Sequence, residues 1–287
     1  MSLKLGKKKD LFFFKNKNVS NFDIFNSLKK IQAHESDVLY IHTELNFGYP
    51  NQEISRKDLL KYLYEIIFSL DVSTLIFPTY TFSFCNNLDF NIKESKTSMG
   101  ILNEFVRNQN DGIRSIDPLM SNFLIGKNQY LVNNIKKYSI GKDSTFDLLY
   151  KSKLNVKFLF FGPNIGDCFT FMHYIENNQK INYRYNKRFS GEIFDGTNKY
   201  KDSYYLFVRY SDIFSSQGSY IYENILYEKK IGLRKKIGAA YLSITEMNYS
   251  YNLFLELLDI SPSFFIKNQF NKYLNKKSFL VNNMVSL

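Results

Sequence analysis

The 287-residue chain has no tryptophan, only two cysteines and only three histidines. Cys85 and Cys168 match neither a zinc-ligand spacing nor a disulfide framework, and the Asp and Glu residues show no metal-ligand clustering, so no metal is expected. No stretch approaches the ~20 apolar residues needed to span a bilayer. The opening MSLKLGKKKDLFFF has only a short apolar run, followed at once by Lys15 and Lys17, which is not a secretory signal pattern. A cytoplasmic protein without a membrane span is therefore expected. Also missing are internal repeats, linkers rich in Pro, Gly or Ser, and any glycine-rich phosphate loop of the Walker or dinucleotide type.

With 44% hydrophobic residues the chain can bury a full core unaided by metal or disulfides. Aromatics make up 17%, from 28 Phe and 22 Tyr. Lys and Arg number 38 against 27 Asp and Glu, a net +11. Such a balance suits a nucleic-acid surface, a membrane surface or an enzyme for anionic ligands. The basic residues are spread along the chain, densest at Lys7 to Lys9, at Lys229-Lys230 with Arg234 to Lys236, and at Lys276-Lys277. That spread favours general attraction of anions over a nucleic-acid arm, and no nucleic-acid partner is expected.

Residues 1–24 read as a polar lead-in and 25–287 as one domain. Phe22 to Ile31 suits a short amphipathic helix, Val38 to Ile41 a buried strand, and Ser55 opens a helix running to about Ser69. Thr74 to Phe77 is a second strand, so strand, helix, strand implies a parallel pair with a right-handed crossover. Ser98 is suited to cap a helix that ends at Asp111-Gly112, and Asn128 to Lys137 suits another. Val156 to Phe161 is a third strand; the loop GPNIGD then leads into a helix CFTFMHYIEN. Beyond Ser190 antiparallel strands are expected around Asp195-Gly196 and Lys201-Asp202, then a strand over Ile237 to Ile244 and closing amphipathic helices. The fold class is α/β, a mixed β-sheet flanked by helices on both faces.

Ligands of open α/β sheets bind beyond the carboxyl ends of the strands. Three such ends carry polar loops: His42-Thr43, Pro78 to Thr81, and Gly162 to Asp167. Of the histidines, His34 lies in the polar connection AHESD and reads as a surface residue, while His42 suits either function or core hydrogen bonding. In TFMHYIE, Thr170, His173 and Glu176 are spaced i, i+3, i+6, within a sector of about 120° on one helix face. A carboxylate one turn from an imidazole fixes its tautomer and leaves the other nitrogen as a base. Spacing alone equally allows a solvent-facing polar stripe. Cys168, five residues from His173, would sit about 140° round a continuous helix, against a Cys–His pair.

Taken in order, VLYIHTELNFG, LIFPTYTF, SMGILNEFVR, GIRSIDPLMS, IGKDSTFDLL, FLFFGPNIGDCFTFMHYIE and KKIGAAYLS resemble the aminoglycoside 3-N-acetyltransferase family over roughly residues 25 to 260. The resemblance implies a CoA-dependent N-acyltransferase that passes an acyl group from acetyl-CoA, or another acyl-CoA, directly to an amine. It implies His173 as general base, Glu176 as its orienting carboxylate, and Thr170, or a backbone amide of the Thr79 to Thr81 loop, as oxyanion donor. It implies coenzyme contacts from His42, Thr43 and Gly48, from Thr79 and Thr81, and from Arg114, Ser115 and Ser121. Asp117 stands where the family usually has histidine. A net +11 opposes steering of a polycationic aminoglycoside, so a nucleotide-linked amino sugar, as used for surface polysaccharide, is the expected acceptor and an aminoglycoside the alternative. A monomer or homodimer is expected.

Overall fold

The computed structural model describes residues 5–109 and 112–267; the expectations at Asp111, at Lys276-Lys277 and for helices beyond 267 lie outside them. Strands β1 (Asp10–Phe14), β2 (Lys17–Ser20) and β4 (Tyr49–Pro50) form a small antiparallel sheet. The central sheet takes, in chain order, β3 (Val38–Thr43), β5 (Thr74–Pro78), β7 (Gly112–Arg114), β8 (Asn122–Gly126), β9 (Val156–Gly162), β12 (Gly232–Ile237) and β13 (Ala240–Glu246). Its spatial order is β12-β13-β9-β3-β5-β8-β7. The three central strands β9, β3 and β5 are parallel, and antiparallel neighbours close both sides. A long hairpin of β10 (Arg184–Phe194) and β11 (Lys199–Arg209) pairs with the short β6 (Phe90–Asn91).

Side chains alternate across a strand, so each central strand feeds two cores. Leu39 and Ile41 of β3, with Leu159 and Phe161 of β9, face helices α1 (Asn21–Lys30), α2 (Arg56–Phe68) and α3 (Ile101–Arg107). Tyr40, Phe158 and Phe160 face α4 (Thr145–Lys151), α6 (Phe171–Asn178), α7 (Gly218–Glu228) and α8 (Met247–Ile260). The mixed sheet flanked by helices on both faces is thus present. Ser55 caps α2 as its sequence indicates, and Ser20 and Asp23 form a reciprocal capping box on α1. Among the described residues no helix is long and apolar enough to cross a membrane.

Several local expectations are corrected. The lead-in folds: Leu11 and Phe12 of β1 are fully buried, each such burial stabilising by about 1.5–3 kcal/mol, which outweighs the polar turn between β1 and β2. Ser98 does not cap a helix. Its hydroxyl donates to the Tyr80 carbonyl, and α3 starts only at Ile101. Residues 129–134 make a 3-10 helix, shorter than the α-helix expected over 128–137. The strand expected over 237–244 is the turn and second arm of a hairpin, because Gly238 takes φ +58 and reverses the chain. Lys201 and Asp202 lie inside β11, which continues because every residue from Lys199 to Arg209 finds a partner on β10; the single turn is at 195–198.

The segment CFTFMHYIEN is not one helix. A one-turn helix α5 (Ile165–Cys168) ends at Phe169, whose ψ of 79° is not helical, and α6 begins afresh with Thr170 as its N-cap. Cys168 and His173 therefore belong to different helices, and the angle read from a continuous wheel does not apply.

Candidate active site

Helix α6 is fixed by its apolar side. Phe171, Met172, Tyr174 and Ile175 are buried in the aromatic core beneath it, and Tyr174 donates to Asp147 of α4 at 2.9 Å. This orientation turns His173 and Glu176 toward the start of β10. The His173 side chain keeps 36% of its exposure, while Glu176 is buried.

Glu176 sits at the centre of three groups, His173, Tyr183 and Arg184. Its Oε2 lies 2.8 Å from His173 Nδ1, and its Oε1 accepts from the Tyr183 hydroxyl at 2.7 Å. The Arg184 guanidinium forms an ion pair with Oε2, Nε to oxygen 2.9 Å. Burial pushes the Glu176 carboxyl up, but the Arg184 charge, the His173 bond and the Tyr183 bond together hold it at about 2. An ionised carboxylate only accepts, so Nδ1 carries the proton and Nε2 keeps its lone pair. Burial, then the nearby Arg184 charge, lowers the His173 pKa below its ordinary value, although Glu176 pulls the other way. The ring is therefore neutral and basic at neutral pH. Sequence spacing pointed to His173 and Glu176 but not to Tyr183 and Arg184, which stand at the start of β10 and carry no motif of their own.

Thr170 belongs to a directional chain. Asn122 donates through its amide nitrogen to the Met120 carbonyl and to Thr145 Oγ1, so its Oδ1 faces Tyr40 and accepts from that hydroxyl at 2.6 Å. With the Tyr40 proton committed, Tyr80 must donate in the 2.7 Å Tyr40–Tyr80 bond. The Tyr80 oxygen is then left to accept from Thr170, whose hydroxyl also reaches the Cys168 carbonyl at 3.2 Å. The backbone amides of Thr79 and Thr81 are spent on the Ser121 and Leu119 carbonyls, which removes them as oxyanion donors.

The residues expected to hold a coenzyme separate into two sets. Arg114, Ser115, Ser121 and Thr79 are buried and satisfy one another. Arg114 donates to Ser121 Oγ and to the Thr79, Ile92 and Ser95 carbonyls, and burial lowers its pKa to about 9. Ser121 donates to the Thr79 carbonyl, and Ser115 Oγ accepts from the Asn122 amide. With four of its five donors on Ser121 and on three backbone carbonyls, Arg114 frames the strand ends. Thr81 is likewise tied to the Pro118 carbonyl.

The second set follows β3. Thr43 donates to Asn103 at 2.7 Å. Gly48 takes φ +145, and a methyl group there would meet the Phe13 carbonyl at 2.4 Å, so the loop can lie on β1 only with glycine. His42 is buried, stacks on Phe160 at 5.1 Å, and has no partner for Nε2 among the described residues. Its pKa falls to about 3 through burial, so the ring is neutral. A neutral, unpartnered imidazole nitrogen buried at a strand end is a hydrogen-bonding group left open among the described residues.

Cys168 lies at the same strand ends. Burial, with Asp167, Glu44 and Glu223 behind it, raises its thiol far above the ordinary range, and its Sγ contact is the Asn164 carbonyl at 3.6 Å. A thiol held protonated is a poor nucleophile. Among the described residues no three or more His, Cys, Asp or Glu side chains gather as a metal site.

The family model for aminoglycoside 3-N-acetyltransferases matches residues 72–259. No curated protein sequence matches. Among solved structures the chain is similar to AAC-IIIb in binary complex with CoASH, at 16% identity and TM-score 0.68 over 84% of this chain and 96% of that one. It is also similar to AAC-VIa bound to sisomicin, at 14% and 0.67 over 84% and 97%. The YokD protein from Bacillus subtilis is similar at 16% and 0.67, over 87% and 95%.

Proposed function

The chain belongs to the aminoglycoside 3-N-acetyltransferase family, and we propose that it transfers an acetyl group from acetyl-CoA directly to an amine of an aminoglycoside-class acceptor, with His173 as general base. The observation that carries this reading is the Glu176 carboxylate shared between His173 Nδ1 and Arg184. An amine in neutral water is mainly ammonium and cannot attack a thioester. Its neutral form attacks the thioester carbonyl; the nitrogen then loses its proton to His173 Nε2, the carbon–sulfur bond breaks, and the coenzyme leaves as the thiol after taking that proton. Glu176 keeps the ring's tautomer and balances the imidazolium while it lasts. Thr170 supplies the oxyanion donor by turning its one hydroxyl proton away from the Tyr80 oxygen and the Cys168 carbonyl, and His42 meets the pantetheine arm.

For the acceptor, relatives solved with an aminoglycoside speak for the polyamine over the nucleotide-linked amino sugar. The local field supports the same choice. Glu44, Asp167 and Glu223 all act on Cys168 at the strand ends beside Thr170, whereas the net +11 describes the chain as a whole. The test is thiol release from acetyl-CoA with sisomicin, gentamicin and dTDP-, UDP- and GDP-linked amino sugars. Release with an aminoglycoside, falling at least about 10²-fold in His173→Ala while CoA binding survives, is expected. Near-normal turnover in that variant would remove His173 as base, and release with the nucleotide sugars alone would overturn the acceptor.

A further inference from the structure

We infer that residues 261–267, which follow α8, form a strap that positions the buried carboxylate behind the general base, with Ile266 and Ser215 as positioning residues acting through Tyr183 and Arg209. The sequence sets where the strap starts. Pro262 forces its predecessor out of the helical region, and Ser261 accordingly ends α8 in extended backbone, φ −153° and ψ 114°. Two turns follow, with the Phe264 amide on the Ser261 carbonyl at 2.9 Å and the Ile266 amide on the Ser263 carbonyl at 3.0 Å. Phe265 anchors the strap, being buried and stacked on Phe254 of α8 with ring centroids 4.1 Å apart. From that anchor the chain lies along the loop that joins β11 to α7. The Ser216 amide donates to the Phe265 carbonyl at 3.1 Å, and the Ser216 hydroxyl to the Phe264 carbonyl at 2.7 Å. The Lys267 amide donates to the Phe214 carbonyl at 2.8 Å, and Ser215 faces Ile266 in an antiparallel bridge. Gly218 shows how close the approach is, since a methyl group there would meet the Phe264 carbonyl at 2.4 Å.

What the strap holds belongs to the site. Ile266, Ile213 and Tyr183 make a small buried core of their own, apart from the two cores of the sheet, with Ile181 and Tyr210 packed against it. The Tyr183 carbonyl accepts from the Tyr210 amide at 3.2 Å, and its hydroxyl reaches Glu176. The same loop fixes Arg209, whose Nη1 donates to the Ser215 hydroxyl. Arg209 stands directly opposite Arg184 across the β10–β11 hairpin. Like charges in that arrangement repel, so Arg209 needs a hold to stay beside Arg184 and Glu176, and Ser215 supplies one. The charged groups acting on His173 are then Glu176 of its own helix, Arg184 of β10 and Arg209 of β11. Asp147 of α4 and Tyr251 of α8 face Tyr174 on the buried side of α6. All of the strap lies past the end of the 72–259 family match, so this hold on the carboxylate comes from residues the family model does not cover.

This inference rests on the reading of His173 as base, and its test keeps the two apart. The His173 imidazole is titrated by NMR, and thiol release from acetyl-CoA is followed against pH, in the wild type, Ile266→Ala, Ile266→Val, Ser215→Ala and Tyr183→Phe, with thermal melting beside them. Ile266→Ala frees Tyr183 and loosens Arg209. With a donor to the carboxylate and a nearby cation both weakened, the His173 ring holds its proton to higher pH. Expected are a His173 titration and an acid limb of kcat/KM both at higher pH, kcat lower by about tenfold or more, and KM for acetyl-CoA unchanged. Tyr183→Phe repeats the pattern, and the Ile266→Ala/Tyr183→Phe pair loses less than the product of the single losses, because both act on one hydrogen bond. Ile266→Val, one methylene smaller, stays within about twofold of the wild type. Ser215→Ala, an exposed change, moves both pH readouts the same way at an unchanged melting temperature. An Ile266→Ala variant that melts earlier but leaves the His173 titration in place would overturn the strap, as would Ser215→Ala without a shift. Should Ile266→Ala fail to fold, Ser215→Ala decides alone. A titration that moves while turnover does not follow would refute His173 as base and leave the strap standing.

Discussion

Replacing Arg184 by glutamine separates its charge from its place in the fold. Its Nε and the Nδ1 of His173 both contact Oε2 of Glu176, so the two nitrogens are no farther apart than the 2.8 and 2.9 Å contacts laid end to end, about 5.7 Å. Two unit positive charges at that distance repel by about 3 kcal/mol at an effective dielectric of ~20 and by about 0.7 kcal/mol in water. Because the His173 side chain is 36% exposed, the effect falls toward the lower half of that range. The sign follows from the role. A base works only when neutral, and Arg184 lowers the His173 pKa, so wild-type activity is lost only as pH falls below the ordinary histidine value. Removing the charge raises that pKa. The acid limb of kcat/KM in Arg184→Gln should therefore lie at higher pH than in the wild type, with the plateau reached nearer to neutral pH. The assay is a pH series of thiol release at low acceptor concentration, with Arg184→Lys as the charge-retaining control. An acid limb that stays in place, or moves downward, would refute the view that Arg184 keeps His173 neutral.

Two further outcomes test the parts reassigned from the coenzyme site and from nucleophilic chemistry. Arg114→Met leaves the Ile92 and Ser95 carbonyls without the Arg114 donor and should cost about 3 kcal/mol or more in a denaturant titration; full stability with weakened CoA binding would assign Arg114 to the phosphates. Cys168→Ser should keep turnover within a few-fold, and the wild type should keep its activity on thiol alkylation, since burial holds the Cys168 thiol protonated; a loss beyond about 10²-fold in either would restore a cysteine nucleophile.

The central strands were legible because β3, β5 and β9 are buried on both faces and read as unbroken apolar runs, the expected signature of parallel strands. His173 and Glu176 were legible for a different reason: both lie within two turns of one helix, where spacing is geometry. Their partners were not. Tyr183 and Arg184 reach Glu176 from the strand that follows, and no periodicity records which face of a hairpin base meets a helix. The N-terminal hairpin was hidden by composition, since Lys7 to Lys9, Lys15 and Lys17 surround the run Leu11 to Phe14 and mask the two residues that dock. Arg114 was open in the sequence because a guanidinium suits phosphate and backbone carbonyls alike, and only the fold shows which carbonyls lie beside it.

Asp117 brings these strands of reasoning together. Where related sequences usually place an imidazole, its Oδ1 accepts from the Leu119 and Met120 amides and from the Ser139 hydroxyl, at 2.8, 3.0 and 2.9 Å. One imidazole nitrogen has a single in-plane lone pair and cannot collect three donors; a carboxylate oxygen can. The substitution thus builds its own cap for the turn that leads to Ser121 and the Arg114 frame. Burial raises the Asp117 pKa despite those bonds, and its charge adds to burial in holding the proton on Tyr80. A protonated Tyr80 is what the chain from Asn122 through Tyr40 to Thr170 requires. The departure at Asp117 therefore rebuilds the turn that leads to Ser121, and its hydrogen bonds make no contact with the His173–Glu176–Arg184 group.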